Sequence, residues 1–501
     1  MRFLVASFAL LVPGLVAQIP ATHVDLFTGH PRAIIISDIG NEPDDQMSLV
    51  RLLLYSNEID IEALVASTST WQKTVVHPET MRALIQAYGQ VRPNLLKHAS
   101  GWPLADDLDR RVFTGQIGYG MAATGSDKMS EGANAIVQAV DHAAAINDAR
   151  PLWICLWGGA NTLAQALLQV RSTRSPAEVD RFVETLRVNS ISDQDDGGPW
   201  IRREFPKLFY IVAPSTPTGG EYYYATWTGI SGDAYYRNGA GADFTTVTNE
   251  WLDANIRSKG PLGKVYPRFA FIMEGDTPSF LGLIDNGLNA YRRPDWGGWG
   301  GRYIHRQPYG ETHPIWTQGG DLFGRVTSQD TVLGIGGREY VSDQATIWRW
   351  REAFQNDFAA RMTWTIADYA HANHNPILDV NGQSGTAPLT VDAEVSKPIE
   401  LDASRSRDPD GQPLHFNWFH YIEAGVTGSN PADVTIVGAD TPKAVVTATA
   451  ACRPVWLPNL IPCSGKGVAH IILAVTDDGS PRLTSYRRVI LNVRASNAVA
   501  Q

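Results

Sequence analysis

The stretch Ile34–Tyr55, IIISDIGNEPDDQMSLVRLLLY, joins a short apolar run to an acidic loop and then to an amphipathic segment. The apolar run is typical of a buried strand, and the residues after Pro43 have apolar side chains at helical spacing. Four carboxylates lie within eight residues at the junction, and they are Asp38, Glu42, Asp44 and Asp45. The stretch therefore predicts a strand, an acidic loop and a helix from about Asp44.

Five further apolar runs follow before about Asn289, and amphipathic stretches separate them. The runs are IEALVA (61–66), PLWICLW (151–157), LRVNSI (186–191), LFYIVA (208–213) and FAFIM (269–273). Apolar strands that alternate with helices are typical of a parallel sheet with helices on both faces. We therefore expect residues 30–372 to form an α/β domain with a largely parallel sheet.

The pattern changes twice in the second half of the chain. The segment from Gly287 to about Gly337 is rich in Gly, Trp, Tyr and Arg and has little periodicity, so we expect long loops there. Helical periodicity returns from Asp343 to His371. Beyond a break near Asn375, short runs of alternating apolar and polar residues with frequent turn signals predict a small all-β, Ig-like sandwich over residues 376–497.

The composition limits the possible partners and location. The chain has 501 residues, and its net charge of −10 argues against nucleic acid or an anionic membrane as the main partner. Residues 1–17 contain one Arg, an apolar run interrupted by Pro13, and the small residue Ala17, a pattern typical of a secretory signal peptide. The run is too short to span a bilayer, and no later segment is long and apolar enough. We expect a secreted or periplasmic protein without integral membrane association.

The three cysteines agree with export. Cys452 and Cys463 flank a Pro-rich turn and are close enough in sequence for a local disulfide in an oxidising compartment. Cys155 lies within an apolar run, so we expect it to be a buried and inert thiol.

The acidic loop admits two interpretations. Asp44 and Asp45 follow Pro43, where carboxylates commonly cap the first turn of a helix. Capping explains one or two carboxylates but not four, whose repulsion a hard cation such as Ca²⁺ would relieve. The loop follows a strand, and ligands of open α/β sheets bind beyond the carboxyl ends of strands. It is therefore a candidate cation and ligand site.

Polar and aromatic residues also follow the other predicted strands. If the strands are parallel, these side chains could share one oxygen-rich pocket with the acidic loop. Each one alone also fits a helix cap, a turn or simple packing. The candidates are Trp71, Asn161, Asp193, Asp195, Asp196, Trp200, Glu274 and Asp276.

Aromatic residues in the Gly-rich segment have two possible roles. If Trp296 and Trp299 are exposed, their rings could stack on the apolar faces of sugars, which makes them candidates for substrate binding. If they are buried, the same rings pack the loops onto the sheet. The sequence does not decide between the two roles.

The chain resembles the nucleoside-hydrolase-like family of secreted cellulose-binding proteins, a branch of the ribonucleoside hydrolase superfamily. The resemblance covers about residues 30–370. It is carried by SDIGNEPDDQMSLVRLLLY, WGGANTLAQAL, SISDQDDGGPWIRREFP and MEGDTPSFLGLIDNGL. The second part resembles the Ig-like or PKD-like domain appended in that family, through LDASRSRDPDGQPLHFNW and VTDDGSP.

The resemblance implies a Ca²⁺ site with two departures from the pattern. Ribonucleoside hydrolases hold Ca²⁺ at the ends of parallel strands, and their first loop reads D-x-D-P-G-x-D-D. Laid on this chain without gaps, the motif places its third position, which is metal ligand and general base, on Gly40. A late His-Asp pair falls on Gly275 and Asp276. Asn161 falls where a backbone carbonyl binds the metal.

The resulting hypothesis is metal-assisted hydrolysis of a glycosidic bond in a plant-wall or related saccharide. Asp44 would hold sugar hydroxyls, Glu42 would be the substitute base, and Asn41 would be a second substitute or a substrate contact. Asp38 would also belong to the catalytic set. The Ca²⁺ ligands would be Asp38, Asp45, Asn161 and Asp276.

Two alternatives remain open at this point. A carbohydrate-binding protein without catalysis, on the same fold, agrees with Gly40 at the base position and with the family's cellulose-binding name. A salvage nucleosidase exported to the periplasm agrees less well with Gly40 and with the Trp-rich loops.

Overall fold

The computed structural model describes residues 19–125, 127–216, 222, 225–231, 241–318, 328–453 and 463–496. The expected signal peptide, residues 1–17, lies outside these residues. Among the described helices, none combines the length and the apolar character that crossing a bilayer requires.

The first part of the chain forms an eight-stranded sheet with the order β3-β2-β1-β4-β5-β6-β8-β7. All neighbouring strands in it are parallel except β7 and β8, which are antiparallel. This confirms the predicted largely parallel sheet. The strands are β1 (Arg32–Ser37), β2 (Asp60–Ala66), β3 (Val112–Thr114), β4 (Leu152–Leu156), β5 (Leu186–Ser192), β6 (Phe209–Ala213), β7 (Ile304–Arg306) and β8 (Ile315–Thr317).

The prediction of a strand at residues 269–273 was wrong, because the structure has no strand there. The last two strands of the sheet, β7 and β8, instead come from the Gly-rich segment in which we expected only loops. Each of these strands has three residues, too few to produce a periodic signal in the sequence.

The helices of the first part lie between and after the strands. They are α1 (Pro43–Leu53), α2 (Pro78–Leu95), α3 (Ala105–Asp109), α4 (Glu131–Ala145), α5 (Asn161–Thr173), α6 (Pro176–Glu184), α7 (Gly197–Glu204), α8 (Asn249–Leu252), α9 (Gly260–Lys264), α10 (Pro278–Leu281), α11 (Ala345–Trp348) and α12 (Arg351–Trp364). A π-helical turn over Asp253–Arg257 follows α8.

Strand β1 is apolar without alternation because helices cover the sheet on both faces. Ala33 and Ile35 pack in a core with residues of α1 and α2. Ile34 and Ile36 pack in a second core with residues of α4 and α5. The central position of β1 therefore places the acidic loop that follows it in the middle of one edge of the sheet.

The second part of the chain is all-β, as predicted. Its sheets have the orders β13-β19-β18-β15 and β14-β17-β16, and they share one core. The closer likeness to Ig-like domains stays a prediction. The strands of the second part are β11 (Asp379–Val380), β12 (Gln383–Ser384), β13 (Leu389–Glu394), β14 (Pro398–Asp402), β15 (Leu414–His420), β16 (Asp433–Val437), β17 (Lys443–Ala450), β18 (Lys466–Asp477) and β19 (Thr484–Arg494). A separate hairpin of β9 (Asp330–Leu333) and β10 (Glu339–Ser342) belongs to the first part and precedes α11.

The cysteines are as expected. Cys452 and Cys463 form a disulfide in the second part of the chain. Cys155 is a buried free thiol whose pKa is raised to about 12 by burial.

Trp296 and Trp299 lie at the junction of the two parts and are not exposed, which corrects their assignment as substrate-binding residues. Trp299 is 2% exposed, and its ring meets the ring of Tyr486 edge to face with 6.5 Å between centroids. Arg488 donates hydrogen bonds to the backbone carbonyls of Trp296 and Gly297. The rings are buried because the second part of the chain covers them. The sequence around the two tryptophans does not reveal this contact.

Candidate functional site

The loop between β1 and α1 holds its carboxylates through hydroxyl donors. Ser37, the last residue of β1, donates from Oγ to Asp45 at 2.5 Å. Ser69, just beyond β2, donates from Oγ to Asp38. Gln72 donates from its side-chain amide to the backbone carbonyl of Asp38 at 3.0 Å, which fixes the loop against the end of β2. No charge compensation comes from these donors, since all are neutral.

The loop forms one wall of a cavity of about 240 Å³. The acidic loop contributes five residues, and Asp276 faces it from the turn before α10. The remaining walls are mainly aromatic. The lining residues are Asp38, Asn41, Glu42, Asp44, Asp45, Trp71, Trp157, Ile191, Gln194, Tyr222, Trp227, Phe271, Ile272, Gly275 and Asp276.

Three carboxylates converge in this cavity. One oxygen from each of Asp44, Asp45 and Asp276 lies within 4.8 Å of the other two. The described lining residues include no Lys, Arg or His. Asp276 is only 4% exposed, and its buried Oδ2 has no hydrogen-bond partner among the described residues. Three convergent carboxylates, one of which has an oxygen without a partner among the described residues, fit a hard divalent cation such as Ca²⁺.

The electrostatic environment of these carboxylates opposes their ionisation. Burial raises the pKa of Asp38 to about 6, and burial together with Glu42 raises the pKa of Asp44 to about 8. Burial and the neighbouring acids hold the pKa values of Asp45 and Asp276 well above their usual range. Burial also raises the pKa of Glu42. The group therefore carries its full negative charge at neutral pH only if a cation compensates it.

A consequence is that the metal-free protein should lose stability as the pH rises. Asp38 has a folded pKa of about 6 against an ordinary value of 3.8, so it favours the folded state at low pH and this contribution disappears as pH passes 6. At roughly 1.4 kcal/mol per pKa unit, the raised pKa of Asp38 alone lowers the free energy of unfolding by about 3 kcal/mol from low to high pH. About half of this loss falls between pH 5 and pH 8. The pKa of Asp44, about 8, extends the loss upward.

The measurement is urea unfolding in EDTA and in excess Ca²⁺ at pH 5 and pH 8. We expect the free energy of unfolding to fall with pH in EDTA and to recover in Ca²⁺. Asp38→Asn should reduce the fall, whereas Asp440→Asn, a change at an exposed position in the second part of the chain, should leave it intact. Equal stability at both pH values in EDTA would contradict the prediction.

The carboxylates after β5 do not reach the cavity, contrary to their assignment as substrate contacts. Asp193 forms a buried two-pronged ion pair with Arg202 at 2.8 and 2.9 Å. Asp195 accepts hydrogen bonds from the first backbone amides of α5, including that of Asn161 at 3.0 Å. Asp196 is exposed and accepts from the backbone amide of Met121. All three carboxylates satisfy donors of their own structural neighbours.

Asn161 and Trp200 also lie outside the cavity lining. Asn161 is the first residue of α5, and its side-chain amide donates to the backbone carbonyl of Gly118 at 2.8 Å. Trp200 is half-buried, and its ring packs against Phe205 and the guanidinium of Arg171. The cation cluster therefore differs from the predicted ligand set, because Asp44 takes part in it, whereas Asp38 and Asn161 do not.

Glu274 is a structural residue, which corrects its assignment to the substrate site. It is fully buried and forms an ion pair with Arg51 of α1 at 2.5 Å. It also accepts hydrogen bonds from Tyr266 at 2.6 Å and from Thr277 at 3.0 Å. These contacts hold the turn that carries Asp276 against α1, which carries Asp44 and Asp45.

Several lining residues were not among the site residues predicted from the sequence. Gln194 donates from its amide to the backbone carbonyl of Trp157, and its Oε1 is buried without a partner among the described residues. Tyr222 and Trp227 meet edge to face, 5.4 Å between centroids. Phe271 is 49% exposed at the mouth of the cavity. For Gln194 the available signal was its position just beyond a strand.

At the two positions that depart from the hydrolase motif, Gly40 and Gly275, neighbouring atoms leave no room for a side chain. Gly40 has φ +107°, and a Cβ there would lie 2.5 Å from the His77 ring. A Cβ at Gly275 would lie 2.8 Å from Oδ2 of Asp44. Neither position accepts a side chain without rearrangement. Glycine thus occupies both positions at which the hydrolase motif has its base and its histidine, and the His77 ring and Asp44 fill the space that a side chain there would need.

Comparisons with known proteins agree with this architecture. Residues 32–303 match the family model described as cellulose-binding Sde182, nucleoside hydrolase-like domain. Residues 398–493 match the model of the cellulose-binding protein Sde0182, C-terminal domain. No functionally curated protein matches the chain.

Solved structures give the same result. A nucleoside hydrolase-related hypothetical protein from Saccharophagus degradans, described as associated with carbohydrate metabolism, is 35% identical with a TM-score of 0.74, covering 93% of this chain and 100% of its own. The PKD domain from the KIAA 1837 protein is 20% identical over 24% of this chain and 99% of its own, with a TM-score of 0.15, which is too low to indicate a shared fold. The chain therefore belongs to the Sde182 family of nucleoside hydrolase-like, cellulose-binding proteins.

Proposed function

We propose that the acidic cavity binds Ca²⁺ and a sugar ring and hydrolyses a glycosidic bond of a plant-wall or related saccharide. The observation that carries the proposal is the convergence of Asp44, Asp45 and Asp276, with one buried oxygen of Asp276 left without a partner among the described residues. The family's name and the description of the Saccharophagus degradans protein both point to carbohydrate.

The chain supplies the parts that such a reaction needs. Asp44, Asp45 and Asp276 would hold the cation, which when bound compensates their charge and polarises oxygen atoms of its ligands. Glu42 lies at the N-cap of α1, makes no capping hydrogen bond and is half-buried in the cavity wall. It is therefore free to accept a proton from the attacking water. Oε1 of Gln194 would accept a hydrogen bond from a sugar hydroxyl.

The experiment is replacement of Glu42 by Gln in a reducing-end release assay on plant-wall oligosaccharides with added Ca²⁺. We expect the rate to fall by about 10²–10⁴-fold, which is the usual contribution of a general base. Ca²⁺ affinity should change little, since Glu42 is not among the three convergent carboxylates. Glu339→Gln, at an exposed position outside the cavity, is the matched control. An unchanged rate in Glu42→Gln would remove Glu42 from the mechanism.

The second candidate is saccharide binding without hydrolysis. Gly40 and Gly275 favour it, because the general base and the histidine of the hydrolases are missing from both positions and their side chains would collide with neighbours. This candidate predicts that the wild-type protein with Ca²⁺ binds oligosaccharides in calorimetry and releases no new reducing ends. Hydrolysis by the wild type, lost in Glu42→Gln, would exclude it.

We further propose that the protein works outside the cytoplasm. The signal-like sequence of residues 1–17 and the disulfide between Cys452 and Cys463 support this location, since such bonds persist in oxidising compartments.

A further inference from the structure

The geometry points to a cavity that takes a single, chain-terminal sugar residue, while Trp71 and Phe271 hold the second residue at the mouth. This inference rests on the proposed function and adds to it the part of the saccharide that the site recognises. It means that the protein acts on chain ends and not on internal bonds of a polysaccharide.

The inner end of the cavity is closed by packed side chains. Trp157 is 1% exposed, donates from its indole nitrogen to Ser279 Oγ at 2.8 Å, and packs on Phe280. Asp45 and Asp276 are both buried. An internal residue of a polysaccharide has a glycosidic bond on each side, so a site for it needs two exits. A closed inner end excludes such a residue and admits a terminal one.

The size of the cavity agrees with one ring. Its volume of about 240 Å³ is below the roughly 300–1,000 Å³ of pockets that take drug-sized ligands, a class that includes a disaccharide. A second ring must therefore lie outside the enclosed part. The carboxylates, the cation that they would hold and Oε1 of Gln194 would then meet the hydroxyls of the terminal ring only.

The mouth presents two exposed aromatic rings where a second sugar would lie. Trp71 is 47% exposed and Phe271 is 49% exposed, and both line the cavity. The edge contact of Trp71 with Tyr222, at 6.5 Å between centroids, holds its ring at the rim. Large apolar rings exposed beside a polar pocket mark a binding surface. The bond between the two sugars would thus lie between the buried acids and the rim, beside half-buried Glu42.

The products follow from the position of this bond. Water adds its oxygen to the anomeric carbon as the bond from that carbon to the bridging oxygen breaks. The bridging oxygen ends with one proton and the anomeric carbon with one hydroxyl. One terminal monosaccharide and a chain shortened by one residue are released per turnover, and no co-reactant other than water is needed.

The test is calorimetry of the Ca²⁺-loaded Glu42→Gln protein with glucose, cellobiose, cellotriose and cellohexaose. We expect affinity to rise about tenfold from one ring to two, through stacking on the rim, and to change less than about threefold from two rings to six. Trp71→Ala in the same background should remove the gain of the second ring. Tyr309→Ala, which removes a ring that is 91% exposed outside the cavity, should leave this gain intact.

The outcomes separate this inference from the proposed function. Affinity that keeps rising to six rings, or a second-ring gain that survives in Trp71→Ala, would overturn the terminal-residue inference and leave the proposed function standing. Ca²⁺ binding without affinity for any of the four sugars would also overturn it. Absence of Ca²⁺ binding would remove the proposed function itself, and the inference with it.

Discussion

Replacement of Asp276 by Asn is expected to weaken Ca²⁺ binding more than about 100-fold and to reduce glycoside hydrolysis to background. Asp276 is one of three carboxylates that converge within 4.8 Å, and its Oδ2 has no protein partner in the described part of the chain. Loss of groups that only support a ligand typically costs 10–100-fold in metal affinity, so loss of a charged ligand should cost more. The neutral amide also presents hydrogens where the cation needs an oxygen.

The same change should not destabilise the metal-free protein. Because burial and the repulsion of the neighbouring acids both oppose the charge of Asp276, its removal should leave the urea midpoint in EDTA at pH 8 unchanged or higher. This distinguishes loss of a ligand from misfolding. Calorimetric Ca²⁺ titration and urea unfolding of the wild type, Asp276→Asn and Asp440→Asn are the measurements. Wild-type Ca²⁺ affinity in Asp276→Asn would show that the convergent acids do not form the cation site.

The acidic centre was predictable from the sequence because it is local. Asp38 to Asp45 make up the short connection from β1 into the first turn of α1, and the apolar interior of β1 marks that strand as buried on both faces. Four of the five cavity carboxylates lie in this connection, so their proximity needs no knowledge of the rest of the fold. The fifth, Asp276, was found through its position after a predicted strand, although no strand forms there.

The structural roles of the other acids were not predictable, because their partners are distant in sequence or hidden in backbone geometry. Asp195 binds the amides that begin α5, and Glu274 binds Arg51 across more than two hundred residues. A carboxylate after a strand looks the same in the sequence whether its partner is a cation, a guanidinium or a helix end. The burial of Trp296 and Trp299 depends on the second part of the chain in the same way.

Asp276 and Glu274 show how two nearby carboxylates can differ in role, one available to a ligand and the other stabilising the fold. Glu274 has a charged partner and two hydroxyl donors, so its charge is compensated within the protein. Asp276, two residues later, faces the cavity and has no compensating charge among the described residues that line it. Absence of an internal partner, and not acidity as such, therefore marks the residues available to a ligand.

Glu274→Gln should therefore act on stability and not on ligand affinity. Both members of its ion pair with Arg51 are fully buried, and removing one charge leaves the guanidinium uncompensated. Breaking a buried pair in this way typically costs about 3–5 kcal/mol. We expect urea unfolding to show a loss of this size, while the exposed control Glu250→Gln changes the free energy of unfolding by less than about 0.5 kcal/mol.

Ca²⁺ titration of the folded Glu274→Gln protein completes the comparison. Glu274 lies outside the cavity lining, and its contacts are with Arg51, Tyr266 and Thr277. No hydrogen bond joins it to the three convergent carboxylates among the described residues, so, unlike the loss of a group that supports a ligand directly, its loss should leave the affinity of the folded fraction within about threefold of the wild type. An unchanged free energy of unfolding together with a large loss of Ca²⁺ or saccharide affinity would make Glu274 a ligand after all. A large loss of stability with retained affinity would show that Glu274 supports the fold, whereas Asp276, two residues later, belongs to the ligand site.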